Sequence, residues 1–468
     1  MSWGLPGMGA GKGSAAGTFK GISPRQIVLI LCSLIPPALI LALCPFGLTL
    51  TQAAVAALLV LTVIWWVSKL VDRTIASIVL LLGFFLFGGV GPRTVFSFPL
   101  SETFVLIILS FLFSEGVKNS GLLDKLLLPV LSRFARSPGR ALGSMLVINL
   151  VMIFIIPQPF SRIILCAVIY DRFFRAAGMD DDLRSALLLS LHMCAITVNM
   201  AFLRGDLILN NALLSISGAG YSELTWMKYM AVPSLVYSVL FLVLLRIVFR
   251  RPMAAYPAVT PEKAAPWTKA ERRSLIVLLI VILLWAAEDL HGVSGTIIVA
   301  AGTLLMVPLG LLRPADLKCI DVKLLVFLTA AFSIGGVMKG SGTAQVIFSQ
   351  FAPLFPDHFS LLYLFIILVV SMAMHMLLGS SITTMSVVVP SLLIIADGVA
   401  PTPVLLFSIY IMASAHCVLP FHNVITMIGE GRGCFRSRDM LRCGLSATAP
   451  ILLAVLFLFY GWWRLMGA

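Results

Sequence analysis

From residue 141 to 178 the chain stays apolar for about twice the length of one membrane-spanning arm. Yet its centre, FIIPQPFSRIIL (154–165), carries Pro157, Gln158, Pro159, Ser161 and Arg162. A continuous span of about 20 residues accommodates few charges, and backbone in hydrocarbon must satisfy its own hydrogen bonds. Such a centre fits chain that turns back inside protein or beside water. A second region, 358–396, has the same construction around LLGSSITTM (377–385). Each reads as a hairpin that enters and leaves by one side.

Composition agrees. Of the residues, 60% are hydrophobic and only 11% charged, against about a quarter charged in soluble domains. The chain reads as an all-α polytopic membrane protein with the lipid bilayer as its surroundings. Apolar spans lie near 26–44, 49–67, 74–92, 102–117, 183–204, 226–248, 274–288, 293–311, 324–339, 403–424 and 444–463.

The net charge of +13 sits in short loops beside these spans, which is a signature of orientation rather than of nucleic-acid binding. Basic clusters at Arg133–Arg140, Arg250–Arg273 and Arg432–Arg442 all fall in the cytoplasm if eleven crossings and two re-entrant hairpins are placed in the cell (inner) membrane. The N-terminus is then inside and the C-terminus outside. The first hairpin opens inward and the second outward, and 205–225 forms an exterior segment. Residues 1–25 read as a cytoplasmic tail. The eight cysteines are scattered without metal spacing and behave as small hydrophobes.

An internal repeat supports this layout. FSEGVKNSG (113–121) resembles FSIGGVMKGSG (332–342), the polar tips near Ser161 and Ser380 follow in turn, and GAGYSELTWM (218–227) resembles GEGRGCFRSRDM (429–440). The division is a first repeat 26–248 with its hairpin 141–178, a cytoplasmic linker 249–273, and a second, inverted repeat 274–468 with its hairpin 358–396. Inverted repeats with broken helices are a transporter signature, with the substrate held at their interface.

The polar residues suggest the chemistry. Prolines fit a turn and the first turn of a helix, so the first tip is expected at Pro157–Phe160 with a helix starting near Ser161. Its free N–H groups favour an anion, and Arg162 adds a planar charged fork suited to carboxylate or sulfate. In the second tip Gly379 permits a tight turn, and Ser380, Ser381, Thr383 and Thr384 offer hydroxyls. The span after each hairpin is also interrupted, by Thr197, Asn199, Arg204, Gly205 and Asp206 in the first half. In the second half the interruption holds Ser414, His416, Pro420, His422 and Asn423. Pro420 frees carbonyls for a cation, and His416 and His422 titrate near neutral pH. Arg204 and Asp206 read as a pair at the outer membrane edge. No cluster of nucleophile, base or metal ligands suggests an enzyme. The alternative is a cation/proton antiporter or an arsenite-type permease, and a cation exchanger typically uses an intramembrane acid.

The stretch ASAHCVLPFHNVITMIGEGRGCFRSRDMLRCG (413–444) resembles the last broken helix and following loop of the divalent anion:sodium symporter family. ISGAGYSELTWMKYMAVP (216–233) looks like its stretch after the first broken helix. GSSITTMSVVVP (379–390) occupies the place of its Ser-Asn-Thr hairpin signature. The resemblance implies an elevator-type secondary transporter of dicarboxylate, tricarboxylate or sulfate. It also implies a homodimer, with sodium ions as the possible coupling partners. Carried over by position, it marks Ser161, Ser380, Ser381, Thr384 and Asn423 for substrate, with Arg162 added from its chemistry. It marks Thr197 and Asn199 for the cation or proton, together with Thr383, His416 and His422. The signature asparagine is missing from both tips. Ser381 stands in its place in the second, and the first reads Pro-Phe-Ser-Arg, so Arg162 is expected to supply the charge that sodium gives elsewhere.

Overall fold

The computed structural model describes residues 24–68, 70–156, 158–258, 266–286, 291–350, 353 and 355–467. Among these there is no strand, and helices follow one another with short connections. The first half runs α1 (Pro24–Ser33), α2 (Ile35–Leu43), α3 (Leu50–Ser68), α4 (Arg73–Phe87), α5 (Glu102–Asn119) and α6 (Leu122–Phe134). It continues with α7 (Pro138–Ile155), α8 (Pro159–Ala176), α9 (Asp181–Asn199), α10 (Leu209–Ser217) and α11 (Glu223–Val248).

The second half runs α12 (Lys269–Ala286), α13 (Gly295–Met306), α14 (Val322–Gly340), α15 (Thr343–Ser349), α16 (Leu361–Leu378) and α17 (Ser381–Ile395). After it come α18 (Thr402–Ala415), α19 (Val424–Gly431) and α20 (Ser437–Leu453), the last continuing through a π-helical turn to Leu465.

Several helices recur in the same order in the two halves. Helices α5 and α14 start at 102 and 322, α8 and α17 at 159 and 381, and α11 and α20 at 223 and 437. The halves also interlock. Helix α4 packs on α14 of the second half, while α13 packs on α5 of the first. The short α10 lies against α17, and α19 lies against α8. The second arm of each hairpin is therefore held by a helix of the opposite half.

Both paired segments fold back on themselves. In the first, Ser144 near the start of α7 shares a 3.0 Å hydrogen bond with Tyr170 near the end of α8. In the second, His375 four residues before Gly379 meets Thr384 five residues after it, at 3.1 Å. The turn at Gly379 has φ +62°, in the left-handed region where only glycine is unstrained.

Several local expectations are corrected. The first hairpin's second arm starts at Pro159, not near Ser161, because Pro159 takes the first helical position and the Gln158 side chain accepts from Ser161 N at 2.5 Å. The expected tip residue Pro157 lies outside the described residues. The span near 26–44 is interrupted at Leu34, since Pro36 and Pro37 stand in the first turn of α2 and cannot continue α1. Segment 205–225 is not simply an exterior loop, since α10 occupies nine of its 21 residues and packs against helices of the other half. Helix α6 was not anticipated. Among the described residues four helices are long and apolar enough to cross a membrane, Pro138–Ile155, Glu223–Val248, Val322–Gly340 and Ser437–Leu465, and shorter apolar helices of 10–17 residues accompany them.

Candidate functional site

Two helices stop near the middle of the chain's fold and resume after an irregular stretch. Helix α9 ends at Asn199 and α10 begins at Leu209; α18 ends at Ala415 and α19 begins at Val424. Both breaks are buried, so their backbone groups need partners, and side chains supply them. Asn210 donates to the carbonyls of Phe202 and Leu203 at 2.9 and 3.1 Å. Trp226 donates to Met200 O at 2.9 Å, and Tyr410 of the second half donates to Asn210 Oδ1 at 2.6 Å. In the other break Asn423 accepts from Ile425 N at 2.9 Å and donates to Ser414 O at 3.2 Å. His422 Nδ1 accepts from Val418 N at 3.2 Å, and Thr426 donates to Pro420 O at 2.8 Å.

Gly205 is required by this geometry. A Cβ there would meet the Asn199 carbonyl oxygen at 2.1 Å. The close approach brings the two ends of the first break onto one point, and that point is where Arg162 arrives. Its guanidinium donates to Ile156 O at 2.9 Å, to Asn199 Oδ1 at 2.8 Å and to Gly205 O. The side chain is 1% exposed, so all three acceptors see the cation without water between. Two backbone carbonyls and an amide oxygen are the donor set of a hard cation.

Asp206 is the buried acid nearest to this charge. It lies within electrostatic range of Arg162 and caps α10 by accepting from Ile208 N at 3.1 Å and Leu209 N at 3.0 Å. The expected Arg204–Asp206 edge pair is therefore corrected. Arg204 pairs instead with Glu223 at 3.2 Å, and Asp206 points inward because its carboxylate is used by the helix start.

Between the tips lies a narrow cleft of about 20 Å³, about the size of one water. Phe160, Asp206 and Ile208 line it from the first half. Ser380, Ser381, His422 and Asn423 line it from the second, with Arg73 at the start of α4. Ser381 donates to His422 O at 3.1 Å, tying the second tip to the second break. Of the residues marked from sequence, Ser380, Ser381, His422 and Asn423 come together here, and Arg162 stands behind the wall rather than in it.

Ser161 faces a separate open vestibule of about 460 Å³ with Phe160, Glu115, Lys118, Asp321 and Arg432. The corresponding vestibule of the other half is lined by Lys339 and by Pro390–Asp397. Its nearest lining residue on α17, Pro390, is a helical run of about 15 Å from Ser380.

The remaining marked residues lie elsewhere. Thr197 donates back to Cys194 O at 3.1 Å within its own helix, and His416 bonds Thr448 at 3.1 Å, turned away from the cleft. Thr384 donates to Ser380 O at 2.8 Å. Thr383 Oγ1 is buried with no partner among the described residues. Arg73 and His375 were missed from sequence. His375 is fully buried, its ring centroid 5.2 Å from that of His422, and its Nε2 has no partner among the described residues. An ionisable side chain within an apolar run is the signal that marks His375.

Comparisons with known proteins agree with this architecture. The profile of the sodium:sulfate symporter transmembrane region matches residues 25–468. Among solved structures, the YdaH transporter of Alcanivorax borkumensis, described as having an unusual topology, superposes with a TM-score of 0.53 at 13% identity. The match covers 77% of this chain and 85% of that one, and at this identity it speaks for the fold alone. No curated protein matches the chain. On the extent of the profile match, the chain belongs to the sodium:sulfate symporter family.

Proposed function

We propose that the protein is a secondary transporter of a small di- or multivalent anion, a dicarboxylate, tricarboxylate or sulfate, in which Arg162 permanently occupies a place otherwise taken by a coupling cation. The single observation that carries this reading is the convergence of Ile156 O, Asn199 Oδ1 and Gly205 O on the guanidinium. A tethered charge cannot dissociate, so no sodium gradient is harvested at the first break. It still offsets the charge of Asp206 and of an arriving anion.

The substrate occupies the cleft between the tips, where the Ser380 and Ser381 hydroxyls and the starts of α8 and α17 face it. The second tip, with Ser381, Thr383 and the His422 carbonyl, keeps room for an exchangeable cation, and His416 and His422 remain the proton-coupling alternative. The expected charge topology, with eleven crossings and two re-entrant tips, makes the Ser161 vestibule cytoplasmic. The state described is then open inward. Family membership supports a homodimer whose tip-bearing helices move as a body across a scaffold.

A second reading is favoured by one observation. Asp206 is an intramembrane acid at a helix break, as cation/proton antiport requires. Arg162 beside it argues against that reading, because it provides the countercharge without a mobile ion.

Reconstitution in liposomes separates the two. Labelled sulfate, succinate and citrate are offered to vesicles loaded with unlabelled anion, in sodium or in choline. Anion exchange that persists in choline is expected. Absence of all anion flux, together with sodium flux driven by a pH gradient, would overturn the proposal in favour of antiport.

A further inference from the structure

The cleft contains a second arginine that neither tip supplies. Arg73 is the first residue of α4, and its neighbour Asp72 caps that helix by accepting from Thr74 N at 2.9 Å. A cation in the first turn of a helix opposes the helix dipole, so local stability does not account for an arginine there. Among the described residues no carboxylate bonds to it. The guanidinium lies 4.5 Å from the centre of the Phe327 ring on α14, and Nη2 is 3.9 Å from Met427 Sδ on α19. The second contact spends one N–H on the thioether sulfur, a weak acceptor, and no other hydrogen bond to the guanidinium is present among the described residues.

Arg73 also shares the cleft with Ser380, Ser381 and Asn423. Asp206, the acid in the same cleft, is already engaged by the start of α10 and lies in the field of Arg162. A partly buried arginine with free donors, held by an aromatic face beside hydroxyls, suits bidentate recognition of a carboxylate or sulfate.

We infer that Arg73, carried on α4 outside both tips, is the side chain that binds one anionic group of the transported dianion and sets the preference for doubly charged substrates. This deepens the anion-transport reading and rests on it. Arg162 balances charge from behind the cleft wall, while Arg73 meets the substrate itself. The anionic group has two possible sources, a free substrate or the phosphate of a lipid headgroup, and the assay distinguishes them.

Full-length protein is reconstituted as wild type, Arg73→Gln and Arg73→Lys, and the KM and kcat of exchange are measured for a dianion and for a singly charged analogue. In Arg73→Gln the KM for the dianion is expected to rise about 10- to 100-fold, the loss of one charge-assisted contact. The monoanion should change much less and kcat should move by less than about threefold. Arg73→Lys should recover part of the dianion preference, and it also tests the proposal if the glutamine variant fails to fold. A purely structural arginine would lower kcat or yield for both substrates alike, and that result overturns the inference. So does an effect that vanishes in vesicles without anionic lipid. If wild-type protein moves no anion, the transport reading fails first; if it does and Arg73→Gln has wild-type KM values, only the role of Arg73 falls.

Discussion

The two helix breaks are built to one plan and filled differently. In each, a helix stops, an irregular stretch crosses the middle, and a short helix resumes under a side-chain cap, Asp206 in one and Asn423 in the other. In the first break the converging oxygens are consumed by Arg162. Beside the second, on the hairpin arms, the hydroxyl of Thr383 and Nε2 of His375 are buried without partners among the described residues, and Ser381 reaches across to His422 O. Buried polar atoms without partners are costly; at the first break those left over are the amide donors Asn199 Nδ2 and Gln158 Nε2, which no cation satisfies, whereas beside the second a hydroxyl oxygen remains. A fold with two equivalent sites can thus be made asymmetric by one residue, and Arg162 is that residue.

Substitutions grade the comparison. Arg162→Ala should have the largest effect, about 3–5 kcal/mol, since it leaves Asp206 without its countercharge and the oxygens without a donor. Thermal unfolding in detergent checks this, and sodium should restore part of the loss while choline should not. Gly205→Ala should cost about 3 kcal/mol, because the added methyl collides with backbone at Asn199 rather than with a flexible side chain; expression and melting temperature report it. Asp206→Asn keeps an acceptor for the cap but removes the charge. A loss of about 2 kcal/mol is expected, read by thermal unfolding.

Smaller effects belong to the second break and the periphery. Ser381→Ala removes one neutral hydrogen bond worth about 1 kcal/mol, yet it should shift the sodium dependence of exchange more than Arg162→Ala shifts the anion preference. Equal shifts in the two variants would mean that the breaks are not functionally distinct. Asp182→Asn, which breaks exposed pairs with Arg436 and Arg438, should leave the melting temperature close to that of wild type, because exposed ion pairs contribute little.

Much of this was legible in the residues. Apolar runs of double length with proline or glycine at their centre marked the turns between α7 and α8 and between α16 and α17. Gly379 and the hydroxyls after it fell where a turn and a helix start need them. The destination of Arg162 was only half legible. Its charge at depth was plain, but the three oxygens that hold it come from positions 156, 199 and 205, and their meeting depends on the absence of a side chain at Gly205. Asp206 was misplaced because a charge beside Arg204 reads as its partner. The choice of Glu223 is made by the start of α11, far along the chain. Arg73 gave no pattern at all. It is a basic residue at the edge of a span, like many others, until the crossing of α4 over α14 brings it to the cleft.

The most direct test of the tethered cation is thermal stabilisation of purified protein by sulfate, succinate and citrate, each in sodium and in choline, for wild type and Arg162→Ala. Stabilisation of wild type by an anion in both salts, with the variant responding only in sodium, is the predicted result. A wild type that responds to anions only in sodium, or a variant that behaves like wild type in both salts, would contradict it.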